Sequence, residues 1–203
     1  MSIGDLKESY ELGLASIAIL TGVAIGMIKY RNAKKVYTAI KKESEFSLSN
    51  IKIWKLITDL RTELEASRVS IVQFHNGGKF MDGSSMRKMS ITHQTYHSNT
   101  WSTAALMQDT LVTRFIELIS ILQHNCPRIR NPITHTECNT KSFYSMNNTN
   151  AISLLPIYGD NNLLIHGYVS IEWETIPTSM SVEKMNMIIS TRDSIGMLLH
   201  SSN

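Results

Sequence analysis

AISLLPIYGDNNLLIHGYVSIEW, residues Ala151–Trp173, is the stretch whose reading decides the fold. Two runs rich in β-branched and aromatic residues flank Gly159, Asp160, Asn161 and Asn162, residue types that tolerate the positive φ angles of a hairpin turn. The spacing therefore predicts two strands paired antiparallel. Just downstream, Ser179 or Ser181 can cap a helix, Glu183 sits in its first turn, and Val182, Met185, Ile188, Ile189, Ile195 and Leu199 form an apolar stripe at helical spacing. A hairpin followed by an amphipathic helix closes the domain.

Working outward toward the N-terminus, Arg68–Phe74 (RVSIVQF) alternates with a period of two and reads as a strand. The QFHNGG segment, Gln73–Gly78, reads as the turn that ends it, with Gly77 and Gly78 allowing the chain to reverse. Ser84–Thr92 reads as a second strand. Between Ser47 and Glu65, the spacing of Ile51, Trp54, Ile57, Leu60 and Leu64 predicts an amphipathic helix, and Leu111, Phe115, Leu118, Ile119 and Leu122 predict another over 106–122. That second helix should stop at HNCPRIRNP, where prolines and asparagines accumulate. Residues 131–150 are polar and read as a loop holding at most a short helical turn.

The N-terminal region has a different character. Leu12–Ile28 (LGLASIAILTGVAIGMI) contains no charged residue. As a helix it would be ~26 Å long, close to the ~30 Å hydrocarbon core of a bilayer once Tyr10 and Tyr30 sit at the two interfaces. Acidic KESYE precedes it and basic KYRNAKK follows, the reverse of a cleaved signal peptide. A retained membrane anchor, in contact with membrane lipid, is the expectation. Ala18, Gly22 and Gly26 fall four apart on one stripe, a pattern that lets two helix backbones approach, so self-association is expected there. Lys29, Arg31, Lys34, Lys35, Lys41 and Lys42 follow the span against Lys7 alone before it, which places the C-terminal part in the cytoplasm, on the inner or host cell membrane. The division expected is an anchor over 1–30, a basic juxtamembrane segment and amphipathic linker helix over 31–66, and a folded domain over 67–203.

The chemistry that these residues exclude is as informative. With 42% hydrophobic and 18% charged residues the chain has the composition of a folded protein. Residues 47–203 hold thirteen basic against twelve acidic groups, no footprint for nucleic acid. Cys126 and Cys138 are too few for a disulfide scaffold and read as free thiols. QFHNGG lacks the GxxxxGK[ST] spacing of a phosphate loop. His93 and His97 form an H-x3-H pair without further ligands, so no metal is expected. No nucleophile signature such as GxSxG is present, Glu172 and Glu174 read as a solvated strand face, and neither catalysis nor a cofactor is expected.

The order of helix, strand, turn, strand, helix, polar segment, hairpin and terminal helix resembles the GAF domain, a relative of the PAS sensory fold. The residues that carry the resemblance are Leu155-Pro156-Ile157, the polar turn, Gly167-Tyr168-Val169-Ser170-Ile171 and the capped helix to Leu199. It implies an α+β fold, an antiparallel sheet flanked by helices, here behind an N-terminal transmembrane helix. It also implies a shallow pocket for a small ligand or partner protein, to which His75, Asn76, Arg87, His93, Tyr96 and Trp101 would contribute. The chain is also similar to the holins of T-even bacteriophages in combining one N-terminal span with a C-terminal domain. Those proteins carry basic residues before the span and export the domain, whereas this chain carries them after it. A phage-encoded lysis or virion membrane protein is the second expectation.

Overall fold

The computed structural model describes residues 3–81, 83, 85–123, 127–134, 138–159 and 164–201, the side chains of 3–24, 133 and 201 excepted. The chain divides into two units, Met1–Ser47 and Leu48–Asn203.

Helix α1, Ile3–Glu63, supplies residues to both units. In the first unit every described side chain from 25 onward is exposed, among them Ile25, Met27, Ile28, Tyr30, Val36, Tyr37 and Ile40. Lys41 and Glu45 form an i,i+4 ion pair of 3.8 Å there. No helix among the described residues is long and apolar enough to cross a membrane. Most of the uncharged run, with Ala18 and Gly22, lies outside the described side chains, so the span rests on the sequence alone. Gly26 is described and has open space where a Cβ would stand.

The second unit is an α+β domain built on a five-stranded antiparallel sheet in the order β3-β2-β1-β5-β4, with β1 Arg68–Lys79, β2 Ser85–Tyr96, β3 Thr110–Leu111, β4 Ala151–Tyr158 and β5 Ile165–Trp173. The β4–β5 hairpin pairs as its sequence predicts, Ala151 opposite Trp173 and Leu155 opposite Val169. Alternation along the strands gives the sheet two apolar faces. On one, Val69, Ile71, Leu155, Ile157, Val169, Ile171 and Trp173 pack against α1 and against α4, Val182–Ser201. Here α1 contributes Ile53, Ile57, Leu60 and Leu64, while the expected stripe members Ile51 and Trp54 are exposed. On the other face, Val72, Met89, Ile91, Ile152, Leu154 and Tyr168 lie under α2, Ile116–Ile121, and α3, Cys138–Met146, together with 3₁₀ turns.

Three expectations are corrected. The QFHNGG segment does not end its strand: β1 runs on to Lys79, pairing His75 with Lys88 and Asn76 with Arg87. Gly77 and Gly78 occupy an irregularity in the ladder, where a Cβ on Gly77 would stand 2.8 Å from Met86 O, and the reversal comes later, with Gly83 N–H donating to Phe80 O. Gly77 here serves close approach between strands, and Gly78 supplies a positive φ of 105° inside the ladder instead of a chain reversal. Second, the helix predicted over 106–122 is broken: Gln108 is extended, Asp109 has φ 52°, and Thr110–Leu111 pairs with β2 before α2 begins. The β-branched Thr110, Val112 and Thr113 disfavour helix, and the unpaired edge of β2 offers an alternative. Third, the polar segment 131–150 contains a nine-residue helix, α3.

Gly167 shows how closely β1 and β5 approach. A Cβ there would lie 2.2 Å from Val72 O, backbone that cannot rotate away. Gly167→Ala is expected to lower the unfolding free energy by about 1–3 kcal/mol, read by urea titration. Gly196→Ala in α4 is the control: its Cβ would meet Ile157 Cγ2 at an ordinary 3.6 Å. The gain in helix propensity, up to ~1 kcal/mol, makes that variant neutral or more stable.

Candidate functional site

The covered face of the sheet holds an ion pair removed from water. Arg68 opens β1 opposite Glu172 of β5, and both side chains are buried. Arg68 Nε donates to Glu172 Oε2 at 2.9 Å. Its Nη2 donates to Asn147 O at 2.6 Å and to Thr149 Oγ1. Thr149 Oγ1 in turn donates to Glu172 Oε2 at 3.0 Å, and Ser170 Oγ donates to Oε1 at 3.3 Å.

Local folding at the end of α3 makes this arrangement possible. Asn148 adopts φ 53°, which turns the chain out of the helix while Thr149 N–H returns to Tyr144 O at 2.9 Å. Asn147 O and Thr149 Oγ1 are thereby aimed at the guanidinium, and a cation at the negative end of a helix is favoured electrostatically. Tyr144 and Tyr168 complete the buried polar group. Burial raises both phenols above their ordinary range, with the Glu172 charge adding to the shift, so both stay protonated and neutral. Among the described residues one donor of this group lacks a partner: Arg68 Nη1, which is buried and makes no hydrogen bond.

A second polar cluster lies beside it. Gln94 donates through Nε2 to Ser70 Oγ and Thr103 Oγ1, both at 2.8 Å. Its Oε1 accepts from Ser102 Oγ and from Thr103 N–H. The segment following β2 is thus fastened over the sheet. Trp101, half exposed, donates from Nε1 to Asn147 Oδ1 at 3.0 Å and links that segment to the end of α3.

The six residues expected to form one pocket rim are distributed over two faces and two ends of the sheet. Tyr96 and Trp101 stand near Arg68; Tyr96 is its Cα partner across the ladder. Asn76 and Arg87 lie at the opposite end, where the Arg87 guanidinium sits 5.2 Å from the Phe74 ring centroid. His75 pairs with Ser90 Oγ at 2.9 Å and approaches Asp109 at 3.7 Å. His93 is buried on the α1 side, its Nε2 bonded to Asn50 Oδ1 at 2.9 Å and its ring edge-on to Trp54. Glu172, expected on a solvated face, is instead buried. Arg68, Gln94 and Thr149 were not singled out in the sequence, and Glu172 was read only as a surface carboxylate. A charge of opposite sign at the mostly apolar beginning of β1 and at the mostly apolar end of β5 is the signal that could have found Arg68 and the burial of Glu172, since buried charges require partners. No group of three or more His, Cys, Asp or Glu that could hold a metal exists among the described residues.

No protein-family model matches the chain, and no curated protein matches it in sequence. Solved structures do match in fold. A far-red cyanobacteriochrome photoreceptor is similar over 85% of this chain and 97% of its own, with a TM-score of 0.58 at 10% identity. The blue-light absorbing form of the PixJ GAF domain of Thermosynechococcus elongatus is similar over 78% of this chain and 90% of its own, with a TM-score of 0.54 at 14% identity. The phycoerythrobilin-bound GAF domain of a cyanobacterial phytochrome gives 79%, 95%, 0.52 and 12% for the same measures. The fold is therefore GAF-like, an α+β domain with helices on both faces of an antiparallel sheet.

His93 gives this domain a pH dependence. Burial holds its pKa below the ordinary 6.5, because the charged ring would be desolvated between β2 and α1. Asn50 accepts from the neutral ring, and Thr92 Oγ1 serves Nδ1 at 3.1 Å. As the pH falls below the unfolded-state value the unfolded chain takes up a proton that the folded chain resists, so stability drops. Urea titrations between about pH 7 and about pH 5 should show this loss, and His93→Gln should remove its share of it.

Proposed function

We propose that this chain is a non-enzymatic, single-span membrane protein whose GAF-like domain binds a small ligand or a protein partner on the cytoplasmic side. The observation that carries the reading is the joining, in one chain, of seventeen uncharged residues to a GAF-like unit. The described end of that run supports a lipid contact, because Ile25, Met27 and Ile28 are all exposed on α1. The basic residues that follow favour retention on the cytoplasmic side and contact with anionic headgroups. Self-association would proceed through the Ala18, Gly22, Gly26 stripe, and the exposed Ile51 and Trp54 give a second apolar surface for a partner.

Binding, with no reaction, suits the covered sheet face. Glu172 is tied to Arg68 by a hydrogen-bonded ion pair, and burial keeps the two phenols protonated. Arg68 Nη1 remains a donor awaiting an acceptor. Some of the proteins of similar fold carry a bilin, such as the phycoerythrobilin-bound phytochrome domain. In this chain Met89, Leu118, Tyr144, Leu154 and Tyr168 fill the face, which favours a ligand far smaller than a tetrapyrrole.

Fractionation of bacteria expressing the full chain tests the tether. The protein should stay with the membrane pellet after alkaline carbonate extraction. In a Cys126→Ser background the exposed Cys138 should react with a membrane-impermeant maleimide only after the cells are opened. Recovery of the full chain in the aqueous fraction without detergent would contradict the tether, and labelling of intact cells would contradict the topology. Membrane potential should hold steady on expression; its abrupt collapse would favour the holin-like alternative.

A further inference from the structure

A second site opens where the end of α1, the start of β1 and the segments after β2 and β5 converge. A cavity of about 500 Å³ is lined there by residues that include Arg61, Glu65, Ser67, His97, Thr100 and Glu174. The volume falls within the range of small-molecule sites, roughly 300–1,000 Å³, but the lining is far more polar than usual.

Its walls are fixed by hydrogen bonds among themselves. Ser67 O accepts from His97 N–H and Ser67 Oγ from Glu174 N–H, both at 2.9 Å. Thr100 Oγ1 donates to Glu174 Oε1 at 2.7 Å, which holds that carboxylate in place and leaves Oε2 outside this bond. Asn99 N–H donates to His97 Nδ1 at 3.3 Å, so the neutral imidazole carries its proton on Nε2.

Two further features mark the walls of this cavity. Arg61 Nε is shut off from solvent and has no hydrogen-bond partner among the described residues, although two carboxylates line the same cavity. Glu65, four residues on, adopts φ 51°, a left-handed conformation that costs energy in a residue with a Cβ and is maintained where the chain turns from α1 into β1.

The charges decide the class of ligand. A simple anion drawn to Arg61 would meet Glu65 and Glu174, and a simple cation drawn to the carboxylates would meet the guanidinium. A molecule carrying both charges a few bonds apart satisfies both demands. Its ammonium would also lie near the C-terminal end of α1, whose carbonyl groups favour positive charge. We infer that this cavity is a binding site for a small zwitterion of the α-amino-acid type, its carboxylate directed to Arg61 and its ammonium to Glu65 and Glu174. The inference does not depend on the membrane tether or on the covered sheet face.

The test uses the full chain in detergent micelles. Thermal unfolding and calorimetric titration are run with each of the common L-amino acids at millimolar concentration, then with the N-acetyl and carboxamide derivatives of the best binder. At least one free amino acid should raise the melting temperature, and each derivative, lacking one charge, should bind at least about tenfold more weakly. Arg61→Gln should weaken binding of the free amino acid by at least about tenfold with circular dichroism unchanged. If that variant folds poorly, Glu65→Gln, on an exposed residue, carries the same expectation. The inference is overturned if no free amino acid raises the melting temperature, if the derivatives bind as well as the parent, or if a folded Arg61→Gln or Glu65→Gln protein binds undiminished.

Discussion

Burial of a guanidinium between two strands is the constraint around which the domain is organised. Arg68 and Glu172 face each other across β1 and β5, and both are withdrawn from water. Two charges in that position are tolerable only when bonded to each other and to neighbouring dipoles, because desolvating either alone would cost several kcal/mol. The partners come from two segments: β5 supplies the carboxylate, and the turn leaving α3 supplies the Asn147 carbonyl and Thr149, which bridges guanidinium and carboxylate. The register of β1 on β5 and the position of α3 above the sheet are therefore specified together.

The same constraint shapes the possibilities for binding. One face of the sheet is closed by α1 and α4 mainly through aliphatic packing, with His93, Ser153 and Arg192 among the polar residues buried on that side. The opposite face combines aliphatic packing with the ion pair, two neutral tyrosines and the Gln94 cluster. Filled in this way, the covered face leaves Arg68 Nη1 as a buried donor without a hydrogen-bond partner among the described residues. An opening of about 500 Å³ lies at the strand ends near Arg61 and Glu174, where mixed charges stand in a fixed frame.

Where the determinants are local, the amino-acid sequence was enough. The β4–β5 hairpin and α4 follow from alternation, turn residues and an apolar stripe contained within about fifty residues, and the resemblance to GAF domains followed from those same residues. Apart from α3, whose polar sequence hid a helix, the signals that failed are those with a distant partner. Arg68 and Glu172 are 104 positions apart, so neither identifies the other without the β1–β5 pairing. Gly77 and Gly78 read as a turn because glycine permits one, but here the backbone of β2 passes close enough to Gly77 to require a residue without Cβ, and Gly78 takes φ 105° within the irregular ladder. Leu111 lies on a plausible helical stripe until the free edge of β2 competes for its backbone. Among the expected rim residues, Tyr96 and Trp101 fall near the ion pair because they flank the end of β2, whereas His93 turns to α1 because a bulge in β2 intervenes between its partner Ile71 and Val72.

A double-mutant cycle on Arg68 and Glu172 tests this account most directly. Arg68→Met and Glu172→Leu, each alone, strand one charge in an apolar interior, and each should lose about 3–5 kcal/mol of unfolding free energy. Made together they remove both charges, and the double variant should be far more stable than the sum of the single losses allows, a coupling of at least ~2 kcal/mol. Additive losses, or single variants within ~0.5 kcal/mol of the parent, would show that the two charges do not meet in a dry interior and would contradict the organisation described above.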